Sequence, residues 1–321
     1  MNKKQIQQII NAYDLGKLVS YKPTVYGLAN DNCIVKTDRG KYIFRCFNEH
    51  RRVEEVLYEI DLLNYLVKKK FPYKVPLPLK TQNGSSILAD KYLVYAFIQG
   101  VNKTQFSTAQ VKELAKMVAV YHKTILAFKS KYKKDWGNAF ATIWQRRDLA
   151  DWGSKATGKT IRGRLLLKNV DYFNNLLDYI DAKYRNVKLP RYSIHNDLNH
   201  GNFIFRKDKL IGLIDFDNCN LDYLVKDIAQ FLYRGAGRRA VMDFKVAKLF
   251  LDEYRKIRPL SKKEISYIPD IAIVSEIGAF IWLYGCIERS NKKIRLTHLK
   301  ETERQVHWFD ENRDKIIEAL T

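Results

Sequence analysis

The sequence predicts an α+β protein of two lobes. Its 321 residues are 46% apolar, which is enough for a sizeable core and more than one small unit usually holds. Strand-like alternation dominates the first part of the chain, whereas helical periodicity dominates after residue 100. The Gln99-Gly100 pair breaks the pattern between the two parts. We therefore predict an N-terminal lobe over residues 1–98 and a C-terminal lobe over residues 99–321.

The N-terminal lobe is predicted to be a small β-sheet with one main helix. Alternation over 24–47, interrupted by a turn at Asp38-Arg39-Gly40, indicates a hairpin. Apolar residues recur at period 3.6 over 51–68, which indicates an amphipathic helix with Glu59 at the edge of its apolar stripe. Two further strands complete this lobe, 75–79 and 91–98.

The C-terminal lobe is predicted to be larger and mostly helical. Its helical segments are 108–127, 164–184, 223–234, 240–257, 262–290 and 298–319. Three short strands interrupt them, 192–195, 202–206 and 210–215. The charge-free run from Ile277 to Ile287 is the longest apolar candidate and is too short to span a bilayer. We therefore expect no transmembrane segment.

The most informative segments lie around these strands. Residues 194–202 match the H-x-D-L-x-x-x-N pattern of kinase catalytic loops, and residues 214–217 contain the D-F of a metal-binding turn. Asn202 follows Asp197 by five residues, and Asp215 follows Asn202 by thirteen. Phosphoryl transfer needs a metal ion on the nucleotide phosphates and a carboxylate that orients the attacking hydroxyl. Asn and Asp also favour turns, but turn chemistry does not explain both spacings.

The formal net charge of +22 also needs an explanation. Such a protein attracts polyanions, whereas compositional bias toward Lys, Ile, Asn and Tyr is an equally open explanation. No nucleic-acid-binding motif is present, so we do not expect a nucleic-acid partner. The four cysteines lack metal-binding spacing and the Lys-rich N-terminus does not resemble a signal peptide. We therefore predict reduced thiols in a cytoplasmic protein.

Taken in order, these features resemble the small-molecule kinases of the aminoglycoside phosphotransferase, choline kinase and type II homoserine kinase group. Members of that group share the bilobal protein-kinase-like fold, and the resemblance covers nearly the whole chain. The catalytic-loop motif is its most specific signal. The weaker signals are Gly27-Leu28-Ala29-Asn30-Asp31-Asn32, the strand ending at Arg45, Glu59, Val75-Pro76, Asn83-Gly84 and the segment Tyr95 to Gly100.

The resemblance implies a role for each matching residue of the catalytic centre. Asp197 corresponds to the carboxylate that accepts or orients the proton of the substrate hydroxyl. Asn202 and Asp215 correspond to the Mg²⁺ ligands, and both offer the hard oxygen atoms that this ion prefers. Arg45 corresponds to the strand lysine that holds the α- and β-phosphates of ATP, and Glu59 corresponds to its helix partner.

The features implied for nucleotide binding also include departures from the family pattern. The backbone of Ala96, Phe97 and Ile98 corresponds to the adenine-binding hinge. The phosphate-binding loop has one glycine, Gly27. An arginine stands at position 45, where it keeps the charge and can bind bidentately, but arginine and lysine are not equivalent. No A-P-E segment follows the metal-binding turn, so we expect a small-molecule acceptor rather than a protein.

The expected function is an ATP- and Mg²⁺-dependent phosphotransferase that acts on a hydroxyl group of an amino alcohol, amino acid, aminoglycoside or sugar-like molecule. The sequence does not choose among these acceptors and does not predict the oligomeric state. Two alternatives stay open here. One is a catalytically idle kinase fold with a binding or structural role, as in spore-coat relatives, which only Arg45 supports. The other is a basic nucleic-acid-binding protein.

Other polar residues have two interpretations each. Asp217 either assists the metal or a substrate amine, or is a solvated turn carboxylate. Glu276, inside an apolar helix, needs a partner and belongs either to the acceptor pocket or to a structural salt bridge. The segment 129–168 has eleven Lys and Arg against three Asp, with three tryptophans, and forms either a flap over an anionic substrate or a solvated face. Residues 153–160 match a P-loop, but no buried strand is predicted before them.

Overall fold

The structure, a computed structural model, describes residues 1–24, 30–47, 51–235, 241–289 and 295–321. The chain forms two compact units, and each draws on separate segments. The first unit consists of residues 1–103, 127–134 and 201–217. The second unit consists of residues 104–126, 135–200 and 218–321. The predicted boundary between a nucleotide-binding lobe (1–98) and a catalytic lobe (99–321) stays a prediction.

The first unit contains a four-stranded antiparallel sheet in the order β1-β2-β3-β4. Its elements are α1 (Lys3–Ala12), β1 (Leu18–Pro23), β2 (Asp31–Thr37), β3 (Gly40–Cys46), α2 (Val53–Lys68) and β4 (Tyr92–Ala96). The predicted hairpin is confirmed, because Thr37 pairs with Gly40 across its turn. A core cluster joins α1 to the sheet through Ile6, Ile9, Ile10, Cys33, Val35, Phe44 and Val94.

The predicted strand over 75–79 is wrong. This segment forms only one isolated pairing with the sheet among the described residues, between Pro78 and Tyr95. Pro76 and Pro78 have no backbone N–H group, so the segment cannot donate the hydrogen bonds of a continuous ladder. The predicted strand that follows is confirmed and is shorter, because β4 ends at Ala96.

A second hairpin belongs to the first unit and consists of β6 (Phe203–Arg206) and β7 (Lys209–Leu213). Val101 pairs with Phe205 through two backbone hydrogen bonds of 2.9 and 2.8 Å. A Cβ atom added to Gly100 would lie only 2.6 Å from the carbonyl oxygen of Phe205. The glycine that marks the predicted boundary is therefore explained by a close approach of two backbones.

The second unit is mostly helical, with one pair of short antiparallel strands. Its elements are α3 (Thr108–Ile125), α4 (Ile143–Lys155), α5 (Ile161–Tyr184), β5 (Tyr192–Ile194), β8 (Asn220–Asp222), α6 (Leu224–Gln230), α7 (Phe244–Arg255), α8 (Lys262–Ser266), α9 (Ile268–Glu288), α10 (Leu296–Glu311) and α11 (Arg313–Leu320). A π-helical turn over Phe231–Gly235 follows α6. The helix predicted over 262–290 is divided before Pro269, because proline begins a helix readily and does not continue one.

Helix α9 is the central helix of the second unit, and apolar residues cover all its sides. The stretch Lys262–Glu288 is long and apolar enough to cross a membrane, but 72% of its most apolar part is buried within the protein. Burial of this kind is typical of a core helix. Two tryptophans of α4 pack on glycines of α9, Trp144 on Gly278 and Trp152 on Gly285.

Candidate active site

The hairpin of β6 and β7 brings Asn202 next to Ile214, the residue that precedes Asp215. Phe203 pairs with Leu213, so the residues just outside this pair lie side by side at the open end of the hairpin. The backbone N–H of Ile214 donates to the carbonyl oxygen of Asn202 over 2.9 Å. The spacing of thirteen residues between the two predicted metal ligands is therefore the length of one tight hairpin.

These two side chains suit a hard divalent cation. Asn202 is buried in a 3₁₀ turn, whereas the Asp215 side chain is exposed. Asp215 has a φ of 67°, in the left-handed region that Asp tolerates better than most residues. No group of three or more His, Cys, Asp or Glu gathers within the described ranges. One carboxylate with one amide oxygen is the kind of small protein set that binds Mg²⁺ together with substrate phosphates.

The structure joins Arg45 and Glu59, which were predicted to pair. Arg45 Nη1 and Nη2 donate to Glu59 Oε1 over 2.9 and 3.0 Å, and Nη1 also donates to the Tyr95 hydroxyl over 2.7 Å. Arg45 is 6% exposed and Glu59 is 1% exposed. Each charge is thus buried with a partner, as the cost of burying a lone charge requires.

The electrostatic surroundings keep Arg45 charged. Burial by itself would lower the pKa of the Arg45 guanidinium, but the carboxylates of Glu59 and Asp215 and the phenol of Tyr95 raise it, with a net rise. Asp215 is therefore close enough for its charge to act on Arg45. Burial raises the pKa of Tyr95 above its ordinary value, so its hydroxyl stays protonated.

Asp217 is buried rather than solvated, so its interpretation as a solvated turn carboxylate is wrong. Its carboxylate contacts Arg45 and accepts a hydrogen bond from Asn30. Arg51 and the fully buried Lys134 both donate to the backbone carbonyl of Asp217. The chain after the metal-binding turn is thus fastened to three cationic side chains of the first unit.

Sequence analysis missed Tyr95 and Lys134. Tyr95 has a signal in hindsight, because β3 pairs Arg45 with Leu93 and so places Tyr95 diagonally across on the same face. Lys134 has none, since it lies in a basic segment where any of several lysines fits a solvated face. Only the path of residues 127–134 within the first unit distinguishes it.

The predicted nucleotide hinge lies at the end of β4. Ala96 is exposed, and Phe97 and Ile98 are half-buried. The backbone N–H of Phe97 donates to the carbonyl of Lys41 over 2.9 Å, and the Lys41 ammonium lies 3.7 Å from the centre of the Phe97 ring. Gly27 lies outside the described residues. The adenine-binding role of the hinge and the phosphate-binding role of Gly27 stay predictions.

Residues 194–200 of the predicted catalytic loop belong to the second unit, and Asp227 of α6 braces their backbone. The backbone N–H groups of His195 and Asn196 donate to the two carboxylate oxygens of Asp227, over 2.8 and 2.7 Å. Asn196 has a φ of 58°, which turns the chain just before Asp197. The Nδ2 of Asn199 donates to Asp197 over 2.8 Å, and Asp197 is half-buried.

His122 lies behind this brace. It is fully buried, and its Nε2 lies 3.1 Å from Asp227 and its Nδ1 lies 2.7 Å from the Tyr254 hydroxyl. Burial lowers the pKa of His122, although Asp227 opposes this effect. A neutral ring can donate to Asp227 from Nε2 while Nδ1 accepts from Tyr254. His122 therefore supports the catalytic loop through Asp227.

The segment with the P-loop pattern lacks the expected surroundings. Gly153 lies in the last turn of α4, and Thr160 caps the start of α5. A P-loop follows a buried strand, whereas a helix precedes this segment. The pattern therefore lies between two helices, in surroundings unlike those of a P-loop.

Comparisons with known proteins agree with this geometry. The model of the phosphotransferase enzyme family (APH) matches residues 21–260. A homoserine kinase from Gluconobacter oxydans is 26% identical over 275 residues, which cover 83% of this chain and 82% of that relative. A microcompartment-associated aminopropanol kinase has a TM-score of 0.72 at 16% identity and covers 100% of this chain and 99% of its own. An amicoumacin kinase in complex with AMP-PNP and Ca²⁺ has a TM-score of 0.70 at 18% identity, with 100% and 98% covered.

The family match spans well over half of the chain. The two solved structures share the fold of this chain along its whole length. The predicted α+β fold of the protein-kinase-like type is therefore confirmed. The chain belongs to the phosphotransferase enzyme family, as predicted, and is an enzyme of the small-molecule kinase class.

Proposed function

We propose that this enzyme transfers the γ-phosphoryl group of ATP, with Mg²⁺, to a hydroxyl group of a small molecule. One observation carries the proposal: the end of the β6–β7 hairpin bonds the backbone of Asn202 to Ile214, the residue before Asp215, and the charge of Asp215 acts on Arg45. A carboxylate, an amide oxygen and a fixed guanidinium are the groups that a metal-bound triphosphate requires. The AMP-PNP bound to one structural neighbour supports ATP as the donor.

Each residue has a separate part in the proposed mechanism. Arg45, kept charged and held by Glu59 and Tyr95, donates to phosphate oxygens of the nucleotide. Asn202 and Asp215 supply the oxygen ligands of Mg²⁺, an ion that neutralises charge on the phosphates when it is bound. Asp197 follows a backbone fixed by Asp227, and it orients the acceptor hydroxyl and accepts its proton.

The acceptor proposed is an amino acid, an amino alcohol, an aminoglycoside or a sugar-like molecule. The names of the homoserine kinases and of the aminopropanol kinase support the first two classes. The alternative of an idle fold loses its one support, because Arg45 forms the ion pair that a lysine would form. Use of ATP and four free cysteines favour a cytoplasmic location.

A screen for ADP release tests the function. The wild-type protein, given Mg²⁺ and ATP, should release ADP with at least one member of a panel of aminoglycosides, amino alcohols, hydroxy amino acids and sugars. With that acceptor, Asp197→Ala should lower kcat by about 10²–10⁴-fold, the usual contribution of a general base. Its affinity for the nucleotide should stay close to wild type, because Asp197 acts on the acceptor.

Metal-dependent nucleotide binding tests the proposed metal ligands, Asn202 and Asp215. Asp215→Ala should abolish the Mg²⁺-dependent part of ATP binding, measured by calorimetry, and Asn202→Ala should weaken it less because no charge is removed. Lys159→Ala, in the segment with the P-loop pattern, is the control and should bind as wild type. Wild-type affinity in both metal-ligand variants, or a loss confined to Lys159→Ala, would contradict the proposed site.

A further inference from the structure

One face of α6, continued into the π-helical turn after it, lies along the residues that precede Asp197. Asp227 accepts from the backbone N–H groups of His195 and Asn196. One turn later, Gln230 Nε2 donates to the side-chain oxygen of Asn196 over 3.1 Å. Arg234 lies one further turn along, in the π-helical segment. The same face that holds the residues before Asp197 therefore continues to Arg234.

Arg234 is held by a buried carboxylate. Its Nε and Nη2 donate to Oε1 of Glu276 in α9, over 3.0 and 2.9 Å. The Glu276 side chain is 3% exposed, whereas that of Arg234 is 31% exposed. Glu276 thus has the partner that its burial requires, and the side chain of that partner is only partly buried.

The charges of two carboxylates act on this guanidinium. Burial by itself would lower the pKa of Arg234, but Glu276, Tyr233 and Asp197 raise it, with a net rise. Arg234 therefore stays charged over the whole physiological range. The influence of Asp197 agrees with the helical geometry, which puts Arg234 beside the residue proposed to orient the acceptor hydroxyl.

Among the described residues, the partners of the Arg234 guanidinium leave its Nη1 group without an acceptor. Glu276 takes Nε and Nη2, and no oxygen of the described residues accepts from Nη1. The Nη1 and Nη2 edge of an arginine fits the two oxygens of a carboxylate or a phosphate, and a fixed arginine loses little freedom on binding. The Arg234 side chain is partly exposed, and the charge of Asp197 acts on it, so this arginine lies where an acceptor bound at Asp197 could reach it.

We propose that Arg234 binds an anionic group of the acceptor, a carboxylate or a phosphate, while Asp197 orients its hydroxyl, and that Glu276 positions Arg234. This inference depends on the proposed phosphotransferase function and specifies its substrate class. The enzyme should then prefer a hydroxy acid or hydroxy amino acid over the amino alcohol that lacks the anionic group. Polycationic aminoglycosides should be poor acceptors.

Matched acceptor pairs test the inference. The first pair is homoserine and the aminopropanol that differs from it by loss of the carboxylate, and the second pair is glycerol phosphate and glycerol. Wild-type enzyme should have a kcat/KM about 10–100-fold higher for the anionic member of at least one pair, the range that hydrogen bonds to a charged group provide. The first pair reports a carboxylate and the second a phosphate.

Variants assign the preference to Arg234. Removal of Arg234 alone leaves Glu276 buried and charged, so the main variant is the double amide Arg234→Gln/Glu276→Gln, which keeps the size of both side chains. Its preference within the pair should fall to about one, chiefly through KM for the anionic member, since a binding contact is lost. Arg234→Lys should keep part of the preference, because the charge survives without the fork.

Arg162→Gln is the matched control. Arg162 pairs with Glu288 at the end of the same helix α9, so this variant removes an arginine–glutamate pair away from the catalytic loop and should keep the wild-type preference. Equal kcat/KM for both members of each pair in wild-type enzyme overturns the inference and leaves the phosphotransferase proposal intact. An anionic preference that survives unchanged in the folded double variant overturns it as well. Absence of ADP release with every acceptor contradicts the phosphotransferase proposal, and this inference with it.

Discussion

Arg45 is the residue whose chemistry departs most from the family pattern, and the structure gives the departure a physical basis. Its guanidinium donates to Glu59 and Tyr95 and contacts Asp217. A lysine ammonium has fewer donors and no planar fork, so it could not reach all these partners from one position. Arg45 and Asp217 therefore form one ion pair. Asp217 is the residue that directly follows the Asp215-Phe216 pair of the predicted metal-binding turn.

We predict that Arg45 and Glu59 act as one unit in catalysis. Arg45→Ala should be strongly impaired, Arg45→Lys should keep measurable activity, and Glu59→Ala should lower kcat/KM because Arg45 is no longer held in place. A double-mutant cycle measures the coupling, which should be about 0.5–3 kcal/mol for residues in one network. Strictly additive losses in kcat/KM would show that the pair does not work together.

The β6–β7 hairpin is the element on which the proposed metal site depends, because Asn202 and Asp215 lie at its two ends. Its register places Asn202 against Ile214, the residue before Asp215, and a slip of one residue would turn every side chain to the other face. Val101 fastens the hairpin to the end of the N-terminal segment. Gly100 allows this contact, because a side chain there would meet the Phe205 carbonyl and Ile204 Cγ2.

Gly100→Ala should therefore disturb the hairpin and the site that it carries. The added methyl group meets backbone at 2.6 Å, and overpacking of this kind typically costs about 1–3 kcal/mol. Thermal unfolding should show the loss of stability, and Mg²⁺-dependent ATP binding should weaken with it. Gly158→Ala is the control, since nothing lies within 4 Å of a Cβ atom there. Equal stability of the two variants would contradict this account of Gly100.

The packing of helix α4 bears on the segment 129–168, which was predicted to be either a flap over an anionic substrate or a solvated face. Trp144 and Trp152 face glycines of α9, and Trp152 also meets Tyr284 edge to face with ring centres 5.7 Å apart. These tryptophans pack within the second unit, so they do not need a substrate to explain them. The lysines and arginines around them fit the solvated face of a helix.

At the scale of the whole molecule, the net charge of +22 predicts association rather than function. We expect the protein to bind duplex DNA of any sequence at low salt and to release it as salt approaches physiological levels, because such binding comes from counterion release. Fluorescence anisotropy with two unrelated duplexes across a salt series measures this. Binding that persists at high salt and favours one sequence would instead support the nucleic-acid-binding alternative.

Local patterns of the sequence were enough to predict the fold class and the candidate catalytic segments. Alternation and period 3.6 depend only on which side of an element faces the core, so most elements of both units could be predicted. The motif over 194–202 could be found because its chemistry needs fixed residue types at fixed spacings. The prediction of a strand over 75–79 was wrong because prolines lack the backbone N–H groups that a strand donates, and an apolar pattern does not reveal this loss. Helix α4 was missed because its tryptophans and charges hide a regular apolar stripe.

The contacts between side chains from distant parts of the chain could not be predicted from the sequence. Arg234 and Glu276 are 42 residues apart, and Lys134 and Asp217 are 83 apart. A local pattern reports the surroundings of one element and carries no information on which buried charge lies opposite. The cost of an unpaired buried charge requires a partner for Glu276, as its sequence context indicated, but packing alone selected Arg234. The identity of the partner, and with it the proposed anion-binding edge, is therefore a property of the folded chain.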